Sequence, residues 1–386
     1  MDFQYPPELV AFREEFRRYL DAVVTPELAE EIRTEEWGGP QAKALWRRLG
    51  ADGYFGLGWP FEYGGGGKSL LYLHAFNYEM AYRRLPLPLV TLSTVAPTLM
   101  RIGSEAQKRE YLPRILRGEI EFAIGYTEPE AGTDLASLKT RAIRDGDEYV
   151  INGQKSFTSG AHHADYVWLA VRTDPEAPKH RGISILIVPL DAEGLEVRPL
   201  HIMAGSRTNI TFYNDVRVPV SALVGEENRG WQYITTQLDF ERVAISPVAH
   251  IERLFDWLCE LVREGRLDAS DRWTGATLAR TAADLNVLKV MDLKVACMVA
   301  NGEVPVYEAS VLKVLSNEFR VTLAGDVLQM LGGAGLIRRG SPGAWLDSSG
   351  DTIERQLRDS VTNLFGGGSN DIQRDLIATH GLGLPR

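Results

Sequence analysis

Apolar side chains recur at helical spacing near the start of the chain. The first four such residues lie three or four positions apart and have charged residues between them. They are Leu9, Phe12, Phe16 and Tyr19. This spacing predicts a helix with one apolar and one charged face. A second short amphipathic stretch covers residues 106–116, and Gly118 interrupts the pattern after it. We therefore predict an N-terminal helical domain over residues 1–121.

After about residue 122 the pattern changes to short β-rich runs separated by turn residues. These runs are 148–151, 166–171, 183–188 and 210–213. The dipeptide Asn152-Gly153 is typical of a hairpin turn, so we predict a small antiparallel β domain over residues 122–222. Helical spacing returns after Gly230, which predicts a C-terminal helical domain over residues 223–386. The expected fold class is α+β, with a sheet between two helical domains.

Composition and charge narrow the class of protein. The 386 residues include 42 Lys and Arg against 52 Asp and Glu, a net charge of −10 with no long block of one sign. A nucleic-acid-binding surface is therefore not expected. Cys259 and Cys297 belong to no cluster, and no signal peptide or apolar stretch of membrane-spanning length is visible. We expect a cytoplasmic protein without membrane insertion.

Several familiar motifs are absent or incomplete. The stretch 64–69 ends like a phosphate-binding loop, but Glu62 stands where its first glycine belongs. The glycines at 333 and 335 do not continue into a dinucleotide-binding fingerprint. The histidines are scattered, and no serine lies in a nucleophile elbow. We therefore predict no nicotinamide site, no metal and no hydrolase chemistry.

The stretch 125–137 is the first that offers a binding chemistry. It packs small residues and hydroxyls into a turn, whose backbone N–H groups and side-chain donors suit an anionic or carbonyl-rich ligand. An ordinary loop contains the same residue types, so the composition of this stretch supports both interpretations equally.

A carboxylate interrupts the apolar stripe of the helix that begins near Trp231. The stripe consists of Ile234, Leu238, Ile245 and Val248. Glu241 lies three residues after Leu238 and four before Ile245, so it belongs to the buried face. Burial favours a carboxylate as a general base, but a structural ion pair would also place a glutamate there. Pro247 predicts a kink after this turn.

The segment 125–137 resembles the signature of the acyl-CoA dehydrogenase flavoproteins. Other stretches resemble that family in the same order along the chain: 59–65, 151–160, 329–335 and 358–359. The resemblance covers nearly the whole chain. It implies an N-terminal helical domain, a β-barrel-like middle domain and a C-terminal four-helix bundle, with FAD as cofactor and an acyl-CoA as substrate.

The resemblance also implies which residues contact FAD. Tyr126 and Thr127 would lie against the flavin ring, and Gly132 and Thr133 near the diphosphate and the pantetheine. Phe157 would cover one flavin face and Ser159 would donate to its edge, where many relatives have Trp and Thr. An exposed hydroxyl without a ligand is the alternative for Ser159. The remaining cofactor contacts implied are Gln329, Gly333 and Ser369.

The catalytic base departs from the commoner pattern of the family. The glutamate that many members carry near the C-terminus is replaced here by Gly367, whereas Glu241-Arg242 matches branches that carry the base on the helix. We therefore predict Glu241 as the base that removes the α-proton. Arg242 and Asp239 are candidates for holding the CoA, with structural ion pairing as the alternative.

The glycines at 366–368 suggest a substrate preference. They remove side-chain volume that other members fill, so Gly367 would leave room for a branched or polycyclic acyl group. The alternative is that these glycines only form a tight turn.

A second departure concerns subunit assembly. Residues 265–275 lack the Arg-x-x-Phe-Gly turn with which family homotetramers reach the neighbouring FAD. Together with the helix-borne glutamate, this is similar to the catalytic subunits of actinobacterial steroid acyl-CoA dehydrogenases, which form two-plus-two heterotetramers with a paralogue. The implied oxidant is an electron-transferring flavoprotein. An acyl-CoA oxidase and a non-catalytic subunit that completes another chain's flavin site are the alternatives.

Overall fold

The computed structural model describes residues 5–34, 38–244 and 248–385, without the side chains of residues 238–244. Twelve α-helices and seven strands lie in these ranges. The helices are α1 (Pro7–Val23), α2 (Pro26–Thr34), α3 (Pro40–Ala51), α4 (Leu70–Tyr82), α5 (Ala96–Ile102), α6 (Glu105–Leu116), α7 (Gly230–Ala244), α8 (Val248–Arg263), α9 (Arg272–Ala300), α10 (Val306–Leu331), α11 (Ile353–Ser360) and α12 (Asn370–Leu376). The strands are β1 (Phe122–Gly125), β2 (Arg141–Asp145), β3 (Glu148–Lys155), β4 (Tyr166–Arg172), β5 (Ile183–Pro189), β6 (Leu195–His201) and β7 (Arg207–Pro219).

The chain divides into two compact units. The first, called the helical unit here, comprises Met1–Arg33, Lys68–Leu85 and Arg242–Arg386. The second, called the sheet unit, comprises Thr34–Gly67 and Pro86–Glu241. The predicted class is confirmed, with helices towards both ends of the chain and a β-sheet between them. The domain boundaries 1–121, 122–222 and 223–386 stay predictions.

All seven strands form one sheet in the order β1, β4, β2, β3, β7, β6, and β5 pairs with the other edge of β4. The long pairings β3–β7, β6–β7 and β4–β5 are antiparallel, as predicted. The pairing of β1 with β4 is parallel and aligns Phe122 with Tyr166, and β2 meets the end of β4 in the same sense. The short strand β1 comes directly after α6 and pairs with β4, although β2 and β3 lie between these two strands in the chain.

The hairpin predicted at Asn152-Gly153 is wrong. Both residues lie inside β3, where the pairing with β7 shifts register between Ile151 and Gly153. The chain turns instead at Gly146-Asp147, between β2 and β3, with Gly146 at φ +62°. Gly153 has φ +148°, and an added Cβ would lie 2.5 Å from the hydroxyl of Thr140. The glycine therefore marks a bulge and a close backbone approach rather than a turn.

Two apolar clusters hold the sheet unit together. One packs the inner face of the sheet against α5, α6 and α7, with Leu99, Phe122, Trp168 and Ile234 all nearly inaccessible to solvent. The other lies between the strands around Ile151, and its members include Val167, Leu186, Tyr213 and Val216. These clusters fix the ends of β1 and β3 relative to α7, which is where the candidate site lies.

The helical unit has a core of its own, built from the long helices. Side chains of α8, α9 and α10 interdigitate there, including Leu258, Leu285 and Leu323. The predicted amphipathic start of the chain is confirmed, because Leu9 and Phe16 of α1 are buried. The ring of Phe16 packs against Phe76 of α4 with a centroid distance of 5.1 Å.

Candidate active site

Tyr126 joins the end of β1 to α7. Its side chain is buried, and its hydroxyl is hydrogen-bonded to Oε1 of Gln237. The indole Nε1 of Trp168 donates to the same hydroxyl over 3.2 Å. Because an indole N–H can only donate, the proton of Tyr126 is left for the bond to Gln237. Tyr126 is therefore held from two sides, with its backbone at the start of the candidate binding segment.

A buried ion pair anchors this segment. Nζ of Lys155 lies 2.8 Å from a carboxylate oxygen of Glu128 and donates to the carbonyl of Tyr126 over 3.1 Å. Glu128 also accepts from the backbone N–H groups of Lys139 and Thr140, at 2.7 and 2.8 Å. Burial opposes the charge on Glu128, but the ammonium and these donors outweigh it and keep its pKa below the ordinary value. Burial lowers the pKa of Lys155 to about 8, against the attraction of Glu128.

Residues 157–159 form a turn beside this segment. The N–H of Ser156 donates to the carbonyl of Thr127 over 2.8 Å, which brings the end of β3 next to the end of β1. Thr158 is buried and exchanges hydrogen bonds with Asn209, while the hydroxyl of Ser159 lies 3.0 Å from that of Thr208. The turn is therefore fixed by β7 and not by its own sequence.

Phe157 is held in an uncommon conformation within this turn. Its φ is +58°, a left-handed value that costs a non-glycine residue on the order of 1–2 kcal/mol. Its side chain is 57% exposed. A strained backbone that presents a large aromatic ring to solvent is typical of a functional site, because packing does not account for it.

The other predicted cofactor contacts of the sheet unit are exposed. Gly132 and Thr133 lie in the loop after the Glu128–Ala131 bridge, and an added Cβ on Gly132 would meet nothing within 4 Å. All six predicted residues of this unit lie at the ends of β1 and β3 or in the loop after β1: Tyr126, Thr127, Gly132, Thr133, Phe157 and Ser159.

The predicted residues of the helical unit fall in two places. Gln329 and Gly333 are exposed at the C-terminal end of α10. Gly367 and Ser369 lie in the turn before α12, where Lys313 of α10 donates to the carbonyl of Gly368. Since 329 − 313 = 16 residues, about 24 Å of helix separates the two places. Within this unit they do not form one site.

The turn at 366–368 has both of the features considered in the sequence analysis, a tight backbone turn and open space beside Gly367. Gly367 and Gly368 have φ values of +67° and +91°, so the backbone does form a left-handed turn that favours glycine. An added Cβ on Gly367 would nevertheless meet nothing within 4 Å. Ser369 caps α12 by accepting from the N–H of Ile372 over 3.4 Å, which is a structural role.

Helix α7 carries the predicted base. Asp239, Glu241 and Arg242 lie in this helix, but their side chains fall outside the described residues. The side chain of Leu238 is also outside the described residues. Ile245 of the predicted stripe and the kink predicted at Pro247 fall in the stretch 245–247, which the structure does not describe. Ile234 and Val248 of the predicted apolar stripe are both buried, but Val248 is the first residue of α8 and does not belong to α7.

A cavity of about 150 Å³ lies beside α7 within the sheet unit. Its walls come from α7, α5 and the π-helical turn Val90–Val95 that precedes α5. The lining residues are Ser93, Thr94, Pro97, Thr98, Arg101, Ile102, Tyr233, Thr236 and Gln237. Nε2 of Gln237 and Oγ1 of Thr94 are buried without a hydrogen-bond partner among the described residues. Such π-helical turns occur often at functional sites.

Sequence reasoning missed Gln237, Thr94 and the Lys155–Glu128 pair. The available signal for Gln237 was its place on the α7 stripe, three residues after Ile234 and four before Glu241. No comparable signal for Thr94 exists in the sequence, because Thr94 lies in the π-helical turn Val90–Val95, where the spacing of an α-helix does not apply. No described helix is both long and apolar enough to cross a membrane.

Comparison with known proteins identifies the family of this chain. Three family models match in order: the N-terminal domain of acyl-CoA dehydrogenase over residues 6–119, the middle domain over 123–215 and the C-terminal domain over 228–382. The acyl-CoA dehydrogenase FadE26 of Mycobacterium tuberculosis is 44% identical over 100% of this chain and 99% of its own length. FadE29 of the same organism is 42% identical over 98% of each chain.

Solved structures of similar proteins cover the whole chain. The Tcur3481-Tcur3483 steroid acyl-CoA dehydrogenase has 46% identity and a TM-score of 0.93, over 100% of both chains. The ChsE4-ChsE5 complex from Mycobacterium tuberculosis has 44% identity and a TM-score of 0.92, also over 100% of both chains. By all three domain models and by these relatives, the protein belongs to the acyl-CoA dehydrogenase family of oxidoreductases.

Proposed function

We propose that this protein uses FAD to desaturate an acyl-CoA thioester between its α- and β-carbons, and that the acyl group is bulky or steroid-derived. One observation carries the proposal. Tyr233 and Gln237 of α7 line the cavity, and position 241 follows them by eight and four residues, on the same face of the helix. This spacing supports Glu241 as the base, because it puts position 241 on the helix face that borders a cavity, the kind of space that an acyl chain needs.

The residues at the ends of β1 and β3 fit a flavin. A flat aromatic ring system needs an aromatic partner on its face and hydroxyl or N–H donors at its edge. Phe157 offers an exposed ring on a fixed turn, Ser159 of the same turn carries a hydroxyl, and the backbone of Thr127 is bonded to the neighbouring Ser156. Gly132 and Thr133 lie in the exposed loop, open to a diphosphate. Bound there, FAD would supply the hydride acceptor of the reaction.

The further cofactor residues lie in the helical unit. Gln329, Gly333 and Ser369 complete the set that we assign to FAD. Gln329 lies about 24 Å along α10 from Lys313, which contacts the turn that contains Ser369. We therefore assign Gln329 and Ser369 to two different FAD molecules of the assembly. Asp239 and Arg242 are assigned to the CoA, and Gly367 to the acyl group.

The protein's own residues handle the proton. Glu241 takes the proton from the α-carbon while the hydride leaves from the β-carbon, so that the acyl-CoA loses two hydrogens and gains a double bond. The buried neighbours Ile234 and Gln237 keep water away from this face of α7. Reduced solvation strengthens a carboxylate as a base. The hydrogen bond from Tyr126 fixes Gln237, and thereby the helix turn on which Glu241 stands.

The substrate and the partner rest on the similar structures. The Tcur3481-Tcur3483 protein is described as a steroid acyl-CoA dehydrogenase, and ChsE4-ChsE5 as a complex of two chains. The open space at Gly367 supports a bulky acyl group in this protein. We infer a two-plus-two heterotetramer with a paralogous subunit, an electron-transferring flavoprotein as oxidant and a cytoplasmic location.

Spectroscopy on the assembled protein tests the proposal. The chain is expressed alone and with a paralogue, and flavin absorbance and assembly mass are recorded for each preparation. We expect FAD-loaded protein only on co-expression, and bleaching of the flavin when a steroid-side-chain acyl-CoA is added without oxygen. Peroxide release in air without another acceptor would instead identify an oxidase.

Variants of the base complete the test. Glu241→Gln should slow bleaching by at least about 10³-fold while leaving FAD bound, because the α-proton then has no acceptor. The matched control is Glu226→Gln, which changes an exposed carboxylate just before α7. Full activity of Glu241→Gln would show that the chain only completes another subunit's site.

A further inference from the structure

We propose that the cavity beside α7 recognises an uncharged oxygen, a hydroxyl or a keto group, on the acyl chain of the substrate. This inference rests on the proposed function and narrows its substrate class. The starting point is the chemistry of the lining, in which most side chains are polar although the space would receive an acyl chain.

Three of these polar side chains are already satisfied by hydrogen bonds within their own helices. The hydroxyl of Ser93 donates to the carbonyl of Leu89 over 2.6 Å, and that of Thr98 to the carbonyl of Thr94 over 2.7 Å. Thr236 donates to Gln232 over 2.9 Å in the same way. Hydroxyls bonded to the preceding turn present mainly their carbon atoms to the cavity. These residues therefore make the wall largely apolar.

Of the other polar lining residues, Arg101 is exposed to solvent, and the hydroxyl of Tyr233 accepts from the backbone N–H of Glu226 over 3.2 Å. Two buried groups are left over, one on each wall. Thr94 is 1% exposed and Gln237 is 4% exposed, and Oγ1 of the first and Nε2 of the second have no partner among the described residues. Leaving a buried polar group unpaired is unfavourable, so such groups usually have a ligand or an ordered water. Both side chains line the same small cavity. The two groups therefore mark where a polar ligand atom belongs.

The orientation of Gln237 determines which ligand atom it prefers. Trp168 donates to Tyr126, and Tyr126 in turn donates to Oε1 of Gln237. Because Oε1 of Gln237 accepts the hydrogen bond from Tyr126, the side-chain NH₂ group of Gln237 is the end of the amide that remains unused. An NH₂ group requires an acceptor, and Thr94 can donate or accept. A neutral oxygen satisfies both, whereas an apolar chain satisfies neither.

The position along α7 places this oxygen beyond the reacting carbons. Gln237 precedes Glu241 by four residues, or about 6 Å of helix rise. The oxygen would therefore lie several bonds from the α-carbon, on the part of the acyl chain that enters the cavity. A substrate without it would leave two buried groups unpaired, which is the strongest basis for discrimination between similar substrates.

The test compares acyl-CoAs that differ by one hydroxyl. The probes are octanoyl-CoA and its singly hydroxylated isomers, with the hydroxyl on each carbon beyond the β-carbon in turn. The FAD-loaded complex with its paralogue is used throughout. For one isomer we expect the ratio of its kcat/KM to that of octanoyl-CoA to fall at least tenfold in Thr94→Val. Gln237→Leu should lower the same ratio.

Thr98→Val is the matched control. It removes the same hydroxyl in the same cavity, but one that is already bonded to a backbone carbonyl, so the ratio should stay as in the unmodified protein. Equal effects of Thr94→Val and Thr98→Val would overturn the inference. The inference would also be overturned if, for every isomer, the kcat/KM ratio in the unmodified protein were no higher than in the Thr94→Val variant.

Binding separates this inference from the proposed function. Dissociation constants for the same probes, measured by calorimetry, should show the tenfold preference for one isomer and its loss in Thr94→Val even where turnover is absent. Failure of desaturation with intact preference would reject the proposed function alone. Desaturation without any preference, or a crystal structure in which a retained water satisfies both groups beside the bound hydroxylated probe, would reject the inference alone.

Discussion

The hydroxyl of Tyr126 donates a hydrogen bond to Oε1 of Gln237, and so connects the end of β1 to the middle of α7. The first residue starts the segment assigned to the flavin, and the second lies one helical turn before the proposed base. This contact inside the sheet unit therefore adds to the apolar packing that fixes the segment assigned to the flavin relative to the turn of α7 before the proposed base.

Removing the hydroxyl in Tyr126→Phe should lower the free energy of unfolding by about 1–3 kcal/mol, because Trp168 and Gln237 each lose a buried partner. Urea unfolding followed by tryptophan fluorescence measures this. Tyr307→Phe is the control, since that ring is exposed and water replaces the lost partner of its hydroxyl. An equal effect of the two substitutions would contradict the assignment.

Lys155→Met should destabilise the protein by about 3–5 kcal/mol, because it leaves Glu128 buried without its counter-ion. The double variant Lys155→Met, Glu128→Gln should recover part of this loss, since the uncompensated charge is gone. The same unfolding measurement applies to both. Lys139→Ala breaks only the exposed pair with Glu130 and should change stability by less than about 1 kcal/mol.

Glu121 should make stability depend on pH. Burial, assisted by Asp165 and opposed by Lys43, raises the pKa of Glu121 from 4.5 to about 8. The folded protein keeps this proton up to about pH 8, whereas the unfolded chain loses it near pH 4.5. The stability from this group is therefore full below pH 4.5 and is lost as the pH rises to about 8.

Glu121→Gln should remove this pH dependence, because an amide carries no proton to lose. We expect the variant to be more stable than the unmodified protein at pH 8, by on the order of 2–4 kcal/mol, and nearly equal at pH 4.5. Thermal unfolding across this range measures the difference. Glu119→Gln, which changes an exposed carboxylate, should leave the slope as it is; a steeper loss of stability in Glu121→Gln would refute the assignment.

Phe157→Asn should affect stability and cofactor binding in opposite directions. Asparagine tolerates the left-handed backbone, so the apoprotein should gain about 0.5–1 kcal/mol. Loss of the aromatic ring should weaken FAD binding about tenfold. Phe61→Asn removes another exposed ring, at a position without a left-handed φ, and should leave the dissociation constant of FAD unchanged. Unaltered FAD binding in Phe157→Asn would show that the ring does not contact the flavin.

The regular elements could be predicted because they bury one face. The stripe of α1 and the strands β4 and β5 show in the residue pattern, and Phe16, Trp168 and Ile185 are buried as that pattern requires. Asn152-Gly153 was misread because a glycine with positive φ serves a bulge as well as a turn, and only the strand opposite decides between them. The close approach of Thr140 could not be known from the dipeptide.

The candidate site could be predicted only in part. Tyr126, Phe157 and Ser159 came from resemblance to a family, and the structure places them side by side. The cavity could not be predicted, because its two unpaired polar groups can be recognised only once the hydrogen bonds of the other lining side chains are known. Thr94 and Thr98 look alike in the sequence, and a single hydrogen bond distinguishes them.

The parallel pairing of β1 with β4 has a consequence for the order of folding. β2 and β3 are joined by two residues and can pair early, whereas Phe122 must wait for Tyr166, 44 positions later in the chain. Contacts that close long loops form late, since the entropy of closure precedes the gain from pairing. We therefore expect the segment that begins at Tyr126 to become ordered after the β2–β3 hairpin, together with other long-range pairings of the sheet such as Glu148 with Pro219.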